Sequence, residues 1–121
     1  MKYMLVFVET AEDLAKREGP DAPAYWGSWS AYVEAVNQAG IVVSGAGLMP
    51  PAMATTVRVR DGKRHVQDGP YSDTKEQLGG FYVIDVPDLD TALEWAARSP
   101  ASSYGTTEVR PLMPPMPEEK A

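Results

Sequence analysis

Hydrophobic residues recur along the chain with two different spacings. Four short segments are rich in apolar, β-branched and aromatic residues, as strands are: residues 3–8, 41–46, 81–86 and 106–112. Two longer segments, 25–39 and 89–98, instead repeat apolar residues every three or four positions, as amphipathic helices do. Asp88 stands at an N-cap position, and Gly40 and Pro100 follow the helix ends. The predicted order is therefore β-α-β, an interval, and β-α-β.

The first of the two helices is rich in aromatic residues. Four residues share one face and two tyrosines flank them: Trp26, Trp29, Val33 and Val36, with Tyr25 and Tyr32. Such a stripe usually packs on a sheet as part of the core. The alternative is that Tyr25 or Trp26, which come early in the helix, wall a ligand pocket.

The interval between the two units contains a hairpin. Asp61-Gly62 separates two runs rich in β-branched and basic residues, T-T-V-R-V-R and K-R-H-V-Q-D. This is a strong signal for a two-residue turn, and the turn sets the register so that Arg58 faces His65. One face of the hairpin is then apolar but ends in Asp68, while the other is basic and carries His65, the single histidine.

Shorter features complete the predicted domain. Thr10 and Asp13 have the spacing of a capped start for a short surface helix. Gly45-Ala46-Gly47 is followed by prolines rather than by a helix, so it is not a dinucleotide-binding loop. Residues 114–121 are rich in proline and charge, which is typical of a mobile tail. We therefore expect one domain over residues 1–113.

The connections predict the layers of this domain. Two right-handed β-α-β crossovers place both helices on one face of a single sheet. The first strand is nevertheless apolar on both sides. Burying one large aliphatic side chain is worth roughly 1.5–3 kcal/mol, so the second face also needs a cover. A second copy of the chain, related by two-fold symmetry, is the simplest cover, and we expect a homodimer.

Composition narrows the classes of function. The chain has 121 residues, 44% of them hydrophobic, which suits one core, and its net charge of −6 argues against a nucleic-acid surface. Without cysteine there are no disulfides or Cys-based metal sites, and one histidine makes a weak metal case, so we expect no metal and no cofactor. The apolar run over residues 3–8 is too short for a leader or a membrane span, so we expect a cytoplasmic protein without membrane contact.

Candidate chemistry concentrates between Arg64 and Val86, where turn residues, charges and aromatics crowd together. Gly79-Gly80 is expected to break the loop and to let the backbone approach closely as the next strand begins. Asp68 precedes Gly69-Pro70, and one interpretation is a turn in which the carboxylate bonds backbone N–H groups two residues on. The other is that Asp68 lines a pocket as a base or a ligand contact, because a carboxylate that loses water must find donors.

Further residues are candidates for binding a ligand beside Asp68. Tyr71 offers a ring and a hydroxyl, and Glu76 a second carboxylate that could divide acid and base roles with Asp68. Asp73 and Glu76 have the spacing of one capped helical turn, so their loop is either solvated or a cover over the pocket. His65 could carry a proton, although strand alternation puts it on the face opposite Asp68.

The same stretch resembles the DGPF branch of the YCII-related family, named for an Asp-Gly-Pro-Phe signature. The matching pieces are D-G-P-Y, T-K-E-Q-L-G-G-F-Y-V-I-D-V, D-L-D-T-A-L-E-W-A-A-R-S-P and E-V-R-P, with K-Y-M-L-V-F-V and V-V-S-G-A-G-L before them. They span Lys2 to about Pro111, and Tyr71 stands where the signature has phenylalanine. The resemblance implies a ferredoxin-like α+β fold, βαββαβ with the hairpin inserted, that dimerises sheet to sheet as an α/β barrel.

The resemblance implies no settled activity. Relatives in the wider family have been proposed to use a His–Asp pair, with the histidine near the first long helix, where this chain has none. We therefore expect a small-molecule-binding protein, with acid–base chemistry of isomerase or lyase type near Asp68. The alternative is a non-catalytic dimeric accessory or regulatory protein associated with transcription, since DGPF proteins are often encoded beside extracytoplasmic-function sigma factors.

Overall fold

The computed structural model describes residues 1–70 and 76–115. Six strands lie within these ranges: β1 (Lys2–Thr10), β2 (Val42–Gly47), β3 (Thr55–Arg60), β4 (Lys63–Asp68), β5 (Glu76–Asp85) and β6 (Thr106–Pro111). Four α-helices and one 3-10 turn connect them: α1 (Ala11–Ala15), α2 (Ala22–Gln38), the turn Pro51–Met53, α3 (Leu89–Arg98) and α4 (Pro100–Tyr104). No helix in the two ranges has the length and the apolar composition needed to cross a membrane.

Four strands form one antiparallel sheet in the order β2-β5-β1-β6. The two central strands, β1 and β5, each lead through helices into an edge strand, β2 and β6 respectively. Two such crossovers in one sheet make the ferredoxin-like arrangement. The predicted α+β fold is confirmed, including the place of the hairpin between the two β-α-β units.

The core lies between this sheet and the helices. β1 turns Tyr3, Leu5 and Phe7 towards the helices, and none of the three is more than 3% exposed. The Phe7 ring lies edge-on to Trp29 of α2, at 4.9 Å between ring centroids, and to Tyr32 at 6.0 Å. Edge-to-face pairs of this kind add about 0.5–1.5 kcal/mol beyond the area that they bury. These contacts fix α2 against the sheet.

The buried face of α2 differs from the predicted stripe. Tyr25, Tyr32 and Val36 are buried and Trp29 is partly buried, whereas Trp26 is 48% exposed. Neighbouring helix positions point about 100° apart, so Tyr25 and Trp26 cannot both face the sheet. Tyr25 faces it because its hydroxyl has a buried partner there, described below.

β5 begins earlier than the sequence predicts. It starts at Glu76, which pairs with Thr10 of β1, and it continues through Gly79-Gly80, although its register with β1 shifts at Gly79. A Cβ on Gly80 would lie 2.8 Å from the carbonyl oxygen of Ala46 in β2. The close backbone approach expected at this glycine pair is therefore confirmed, here between β5 and β2.

A short helix that the pattern did not predict follows α3. Pro100 lies beyond the end of α3, as predicted, and it is also the first residue of α4, a position that proline favours. Ser99 caps α4 by accepting a hydrogen bond from the backbone N–H of Ser102. The helix ends with Tyr104, so it carries a tyrosine back to the sheet beside β1.

The hairpin has the predicted register. β3 and β4 pair with Thr55 opposite Asp68, and Asp61 and Gly62 have positive φ angles of 52° and 73°, as a two-residue turn of type I′ requires. The two strands form a separate sheet, and their side chains are almost all exposed on both faces. Tyr71, the predicted helical turn at Asp73 and the tail beyond residue 115 lie outside the described residues.

The second face of the four-stranded sheet is apolar but only partly covered. β1 turns Met4, Val6 and Val8 to this face, and each keeps part of its surface exposed. Leu78 of β5, paired with Val8, is 52% exposed. The first strand is thus apolar on both sides as predicted, but a single chain buries fully only the side that faces the helices.

Candidate functional site

A cleft of about 860 Å³ opens between the end of β1, the start of α2 and the loop after β2. This volume suits a small-molecule ligand. Aromatic and aliphatic side chains make up most of its wall: Phe7, Leu14, Trp26, Trp29, Leu48, Met49, Phe81 and Tyr82. Within the described ranges, the charged residues that line it are Glu9, Arg17 and Glu18.

Glu9 is the buried charge of this cleft. It continues the alternation of Tyr3, Leu5 and Phe7, so strand geometry turns it to the same inner face. The carboxylate is 1% exposed. A buried carboxylate is costly unless it is paired and hydrogen-bonded.

Three side chains from different parts of the chain supply the Glu9 carboxylate with hydrogen bonds and a compensating charge. The Tyr25 hydroxyl of α2 donates to Oε1 at 2.8 Å, and the Tyr104 hydroxyl of α4 donates a short hydrogen bond to the same oxygen. Arg17, which follows α1, brings Nη2 to 3.5 Å from Oε2. Oε1 thus accepts two hydrogen bonds, while Oε2 has one longer ionic contact among the described residues.

The Arg17 guanidinium donates hydrogen bonds to three segments that line the cleft. Its Nε donates to the Tyr25 hydroxyl at 3.0 Å, its Nη1 to the Leu48 carbonyl and its Nη2 to the Gly79 carbonyl at 2.9 Å. The side chain is 14% exposed. Arg17 therefore joins the end of α1 to α2, to the loop after β2 and to β5, while its charge compensates that of Glu9.

Two tryptophans contact the residues that surround the Glu9 carboxylate. Trp26 donates its indole N–H to the Arg17 carbonyl at 3.0 Å, and the guanidinium lies 5.7 Å from the Trp26 ring centroid, within cation–π range. Trp29 donates its indole N–H to the Tyr104 hydroxyl at 3.0 Å. The aromatic residues of the wall therefore orient the polar side chains that contact Glu9.

The two tyrosines that contact Glu9 act as donors. Burial raises the pKa of Tyr25, and the neighbouring Glu9 adds to this while the hydrogen bond from Arg17 opposes it. Burial, and then the hydrogen bond to Glu9, also raise the pKa of Tyr104. Both phenols therefore remain protonated near neutral pH, and their O–H groups point at the carboxylate.

The structure separates the residues that the sequence singled out. Tyr25 and Trp26 line the cleft. Asp68 and His65 lie exposed on the hairpin, and neither is among the residues that line the cleft. Glu76 is exposed at the start of β5, and Tyr71 lies outside the described residues.

The position of Asp68 follows from the hairpin. Asp68 ends β4 opposite Thr55, and the chain closes there through a hydrogen bond from the Gly69 N–H to the Ala54 carbonyl at 2.7 Å. Because β3 and β4 form their own sheet, this end of the apolar face is not buried against the rest of the described chain. The cleft therefore lies elsewhere than the pocket predicted around Asp68.

Sequence reasoning missed three residues of the site. Glu9 had a signal, since it occupies the next inward position after three apolar residues of β1. Tyr104 lies on the unpredicted helix α4, whose Ser-Pro start was also visible. Arg17 had no local signal, because a basic residue in a charged surface segment is usually solvated.

The described residues contain no group of three or more histidine, aspartate or glutamate side chains placed to hold a metal ion. Glu9 is already engaged with Arg17 and two tyrosines. These contacts instead hold the Glu9 carboxylate in one position within an apolar cleft.

Two sequence comparisons fit this structure. The pattern of the YCII-related domain matches residues 1–115. An uncharacterised protein of Rhizobium meliloti (strain 1021) is 46% identical over 77 residues, which cover 62% of this chain and 62% of that protein. The match thus spans about three fifths of the length of that relative.

A solved structure has a similar fold. It is a 5-chloro-2-hydroxyhydroquinone dehydrochlorinase from Burkholderia phenoliruptrix AC1100, in complex with 2,5-dihydroxybenzoquinone. The likeness has a TM-score of 0.55 and covers 93% of this chain and 94% of the other. At 15% sequence identity it shows a shared fold and nothing finer.

Proposed function

The chain belongs to the YCII-related domain family, and we propose that it binds a small molecule in the cleft and exchanges a proton with it through Glu9. One observation carries this proposal. A carboxylate that is 1% exposed is held by Arg17, Tyr25 and Tyr104 inside an apolar cleft of ligand size. Buried charges with specific partners inside a cleft are typical of functional sites.

The geometry suits a base whose position is fixed. Both tyrosine hydroxyls hold Oε1 of Glu9, so the carboxyl group cannot rotate freely. Oε2 has only the longer contact with Arg17 among the described residues, which leaves it room to accept a proton. A catalytic base works best when its own supports lock its orientation.

The reaction that fits is a proton transfer of isomerase or lyase type. Oε2 takes a proton from the ligand, and Glu9 becomes a neutral carboxylic acid while Arg17 keeps its charge. The acid then returns the proton to a neighbouring atom of the ligand, or to the departing group of an elimination. A ligand bound against the apolar wall would displace water that competes for this proton.

The structural neighbour supports this class of function at the level of the fold. It is an enzyme whose complex contains a small ring compound, so the same architecture can hold a ligand of that size. The chemistry of that enzyme belongs to that enzyme, and the proposal for this chain rests on its own Glu9, Arg17 and tyrosines.

We also propose that the chain forms a homodimer through the second face of its sheet. Met4, Val6 and Val8 lie on that face with part of their surface exposed, beside Leu78. Pairing two copies would cover these apolar side chains on both. The alternative of an accessory protein in transcription gains no support from the comparisons, and the proposed dimer would cover the apolar surface that such a protein would need.

The experiment is a thermal-shift screen of the purified protein against small phenols, carboxylates, lactones and metal ions. A ligand at hundredfold excess over its dissociation constant stabilises the folded state by about 2.7 kcal/mol. We expect hits that Glu9→Gln abolishes and Asp68→Asn retains. Proton exchange on each hit is then followed by NMR in deuterated water, where Glu9→Gln should remove the catalysed exchange.

The paired variants decide between the two carboxylates. Loss of binding in Asp68→Asn with retention in Glu9→Gln would return the site to the hairpin. A folded protein that gives no hit at all would contradict the small-molecule function itself. Glu94→Gln, on the exposed side of α3 and away from the cleft lining, is the matched control for the loss of one negative charge.

A further inference from the structure

We propose that the cleft selects flat, uncharged ligands of the phenol or enol class, which donate a hydrogen bond from an acidic O–H, and that it rejects carboxylate anions. This inference rests on the proposed function, because it concerns the ligand of the same cleft. It is carried by the balance of donors, acceptors and charges around Glu9.

Most donors around Glu9 are already used within the protein, namely both tyrosine hydroxyls and three of the five N–H groups of Arg17. Tyr25 and Tyr104 both donate hydrogen bonds from their hydroxyl groups to Oε1. Each of the three nitrogens of Arg17 donates to a protein acceptor: the Tyr25 hydroxyl, the Leu48 carbonyl and the Gly79 carbonyl. A bound carboxylate needs several donors at once, and taking them from these partners would leave buried acceptors unsatisfied.

Glu9 also offers an acceptor. Oε2 of Glu9 faces Arg17 Nη2 at 3.5 Å and accepts no shorter bond from the described residues. An ionised carboxylate is a pure acceptor, so what it can offer a ligand is a place for an O–H or N–H. Hydrogen bonds to a charged acceptor are about twice as strong as neutral ones, which favours acidic donors.

The charges of the cleft disfavour an anion. Arg17 compensates Glu9, and Glu18 adds one further negative charge to the lining. The lining contains no other lysine or arginine among the described residues. The whole chain carries a net charge of −6, so its field also repels anions as they approach.

The walls favour a flat ligand. Phe7, Trp29 and Tyr82 line the cleft, and Phe7 lies edge-on to the other two rings, at 4.9 Å from Trp29 and 6.1 Å from Tyr82. Rings in such a wall pack well against a planar, apolar body. Burial raises the pKa of Tyr82, so its hydroxyl also stays neutral and adds no charge.

The test compares three ligands of one shape on the full chain at neutral pH: naphthol, methoxynaphthalene and naphthoate. Naphthol can donate a hydrogen bond, its methyl ether cannot, and naphthoate is an anion. Isothermal titration calorimetry should show naphthol binding about tenfold or more tightly than either of the others, as expected for one lost hydrogen bond to a charged acceptor. Glu9→Gln should remove this preference, and Glu94→Gln should keep it.

The outcomes separate this inference from the function on which it rests. Ala52→Trp places a large side chain at an exposed position of the cleft wall. One result would keep the small-molecule function and overturn the ligand class. In it, Ala52→Trp abolishes binding, and either the three ligands bind equally or naphthoate binds best. If binding is insensitive to both Ala52→Trp and Glu9→Gln, or if no ligand binds, both proposals are overturned.

Discussion

The Glu9 carboxylate lies in the space that a side chain on Gly79 would need. A Cβ built on Gly79 would lie 2.9 Å from Glu9 Cδ and would collide with Oε2. The two residues are on adjacent strands, since Glu9 pairs with Gln77 in the register of β1 and β5. The missing side chain of Gly79 is thus a requirement of the buried carboxylate, and it links a glycine of the motif-rich stretch to the site.

This relationship predicts the effect of Gly79→Ala. The added methyl group must displace Glu9 or the strand, and overpacking of this kind costs about 1–3 kcal/mol. We expect that loss of stability in urea denaturation, together with loss of ligand binding. Gly27→Ala is the control, because a Cβ on Gly27 meets no atom within 4 Å, and it should leave binding unchanged. Unchanged stability and binding in Gly79→Ala would contradict the observed packing.

The Arg17–Glu9 pair should contribute more to the free energy of unfolding than an exposed ion pair does. Arg17→Met removes the charge that compensates Glu9 and leaves a buried carboxylate without its cation, which costs about 3–5 kcal/mol. We expect the Glu9→Gln, Arg17→Met double variant to be less destabilised than the sum of the two single variants, because the residues contact each other. Additive effects in this double-mutant cycle would show that the pair is not coupled.

The buried tyrosines predict how stability depends on pH. Burial raises the pKa of Tyr25, Tyr32 and Tyr104 above the ordinary value of about 10. Above that pH the unfolded chain releases phenolic protons that the folded chain keeps, so the free energy of unfolding falls as the pH rises. Urea denaturation on both sides of this pH should show the decline. It should be smaller in the Tyr25→Phe, Tyr104→Phe double variant, and an equal decline in both proteins would contradict the assignment.

The proposed dimer predicts the effect of a charge on the second face of the sheet. Val6→Lys puts a cation among the partly buried side chains of β1, and burying it unpaired in an interface would be unfavourable. We expect the variant to stay folded but to sediment as a monomer in analytical ultracentrifugation. Glu12→Lys, on the exposed side of α1, is the control and should leave the dimer intact. A wild-type protein that is monomeric at all concentrations would remove this proposal.

Local sequence patterns predicted most elements of the fold but missed the early start of β5 and the helix α4. The Asp61-Gly62 pair predicted the register of the hairpin, because a two-residue turn fixes which residues of the two strands lie opposite each other. Gly79-Gly80 was expected to allow a close backbone approach, which is confirmed, and to precede the strand, which is wrong because β5 already begins at Glu76. Pro100 correctly marked the end of α3, but that it also begins α4 was not predicted, although proline favours the first turn of a helix.

The candidate site was less predictable than the fold. Tyr25 and Trp26 were suspected because they begin an aromatic helix, and they line the cleft. Glu9 and Arg17 were not, since a carboxylate at the end of a strand and an arginine in a charged segment each have ordinary solvated interpretations. The contact between them joins residues that sequence spacing alone does not bring together.

The sequence by itself determined the order of strands and helices apart from α4, the turn of the hairpin and the apolar nature of both sides of β1. These depend on interactions between near neighbours in the chain, which a periodic pattern records directly. Only the tertiary structure decided that Glu9, Arg17, Tyr25 and Tyr104 meet, because they come from four different segments and their burial depends on how the helices pack on the sheet. A buried charge is stable only where its partners arrive together, and that condition is set by the whole fold.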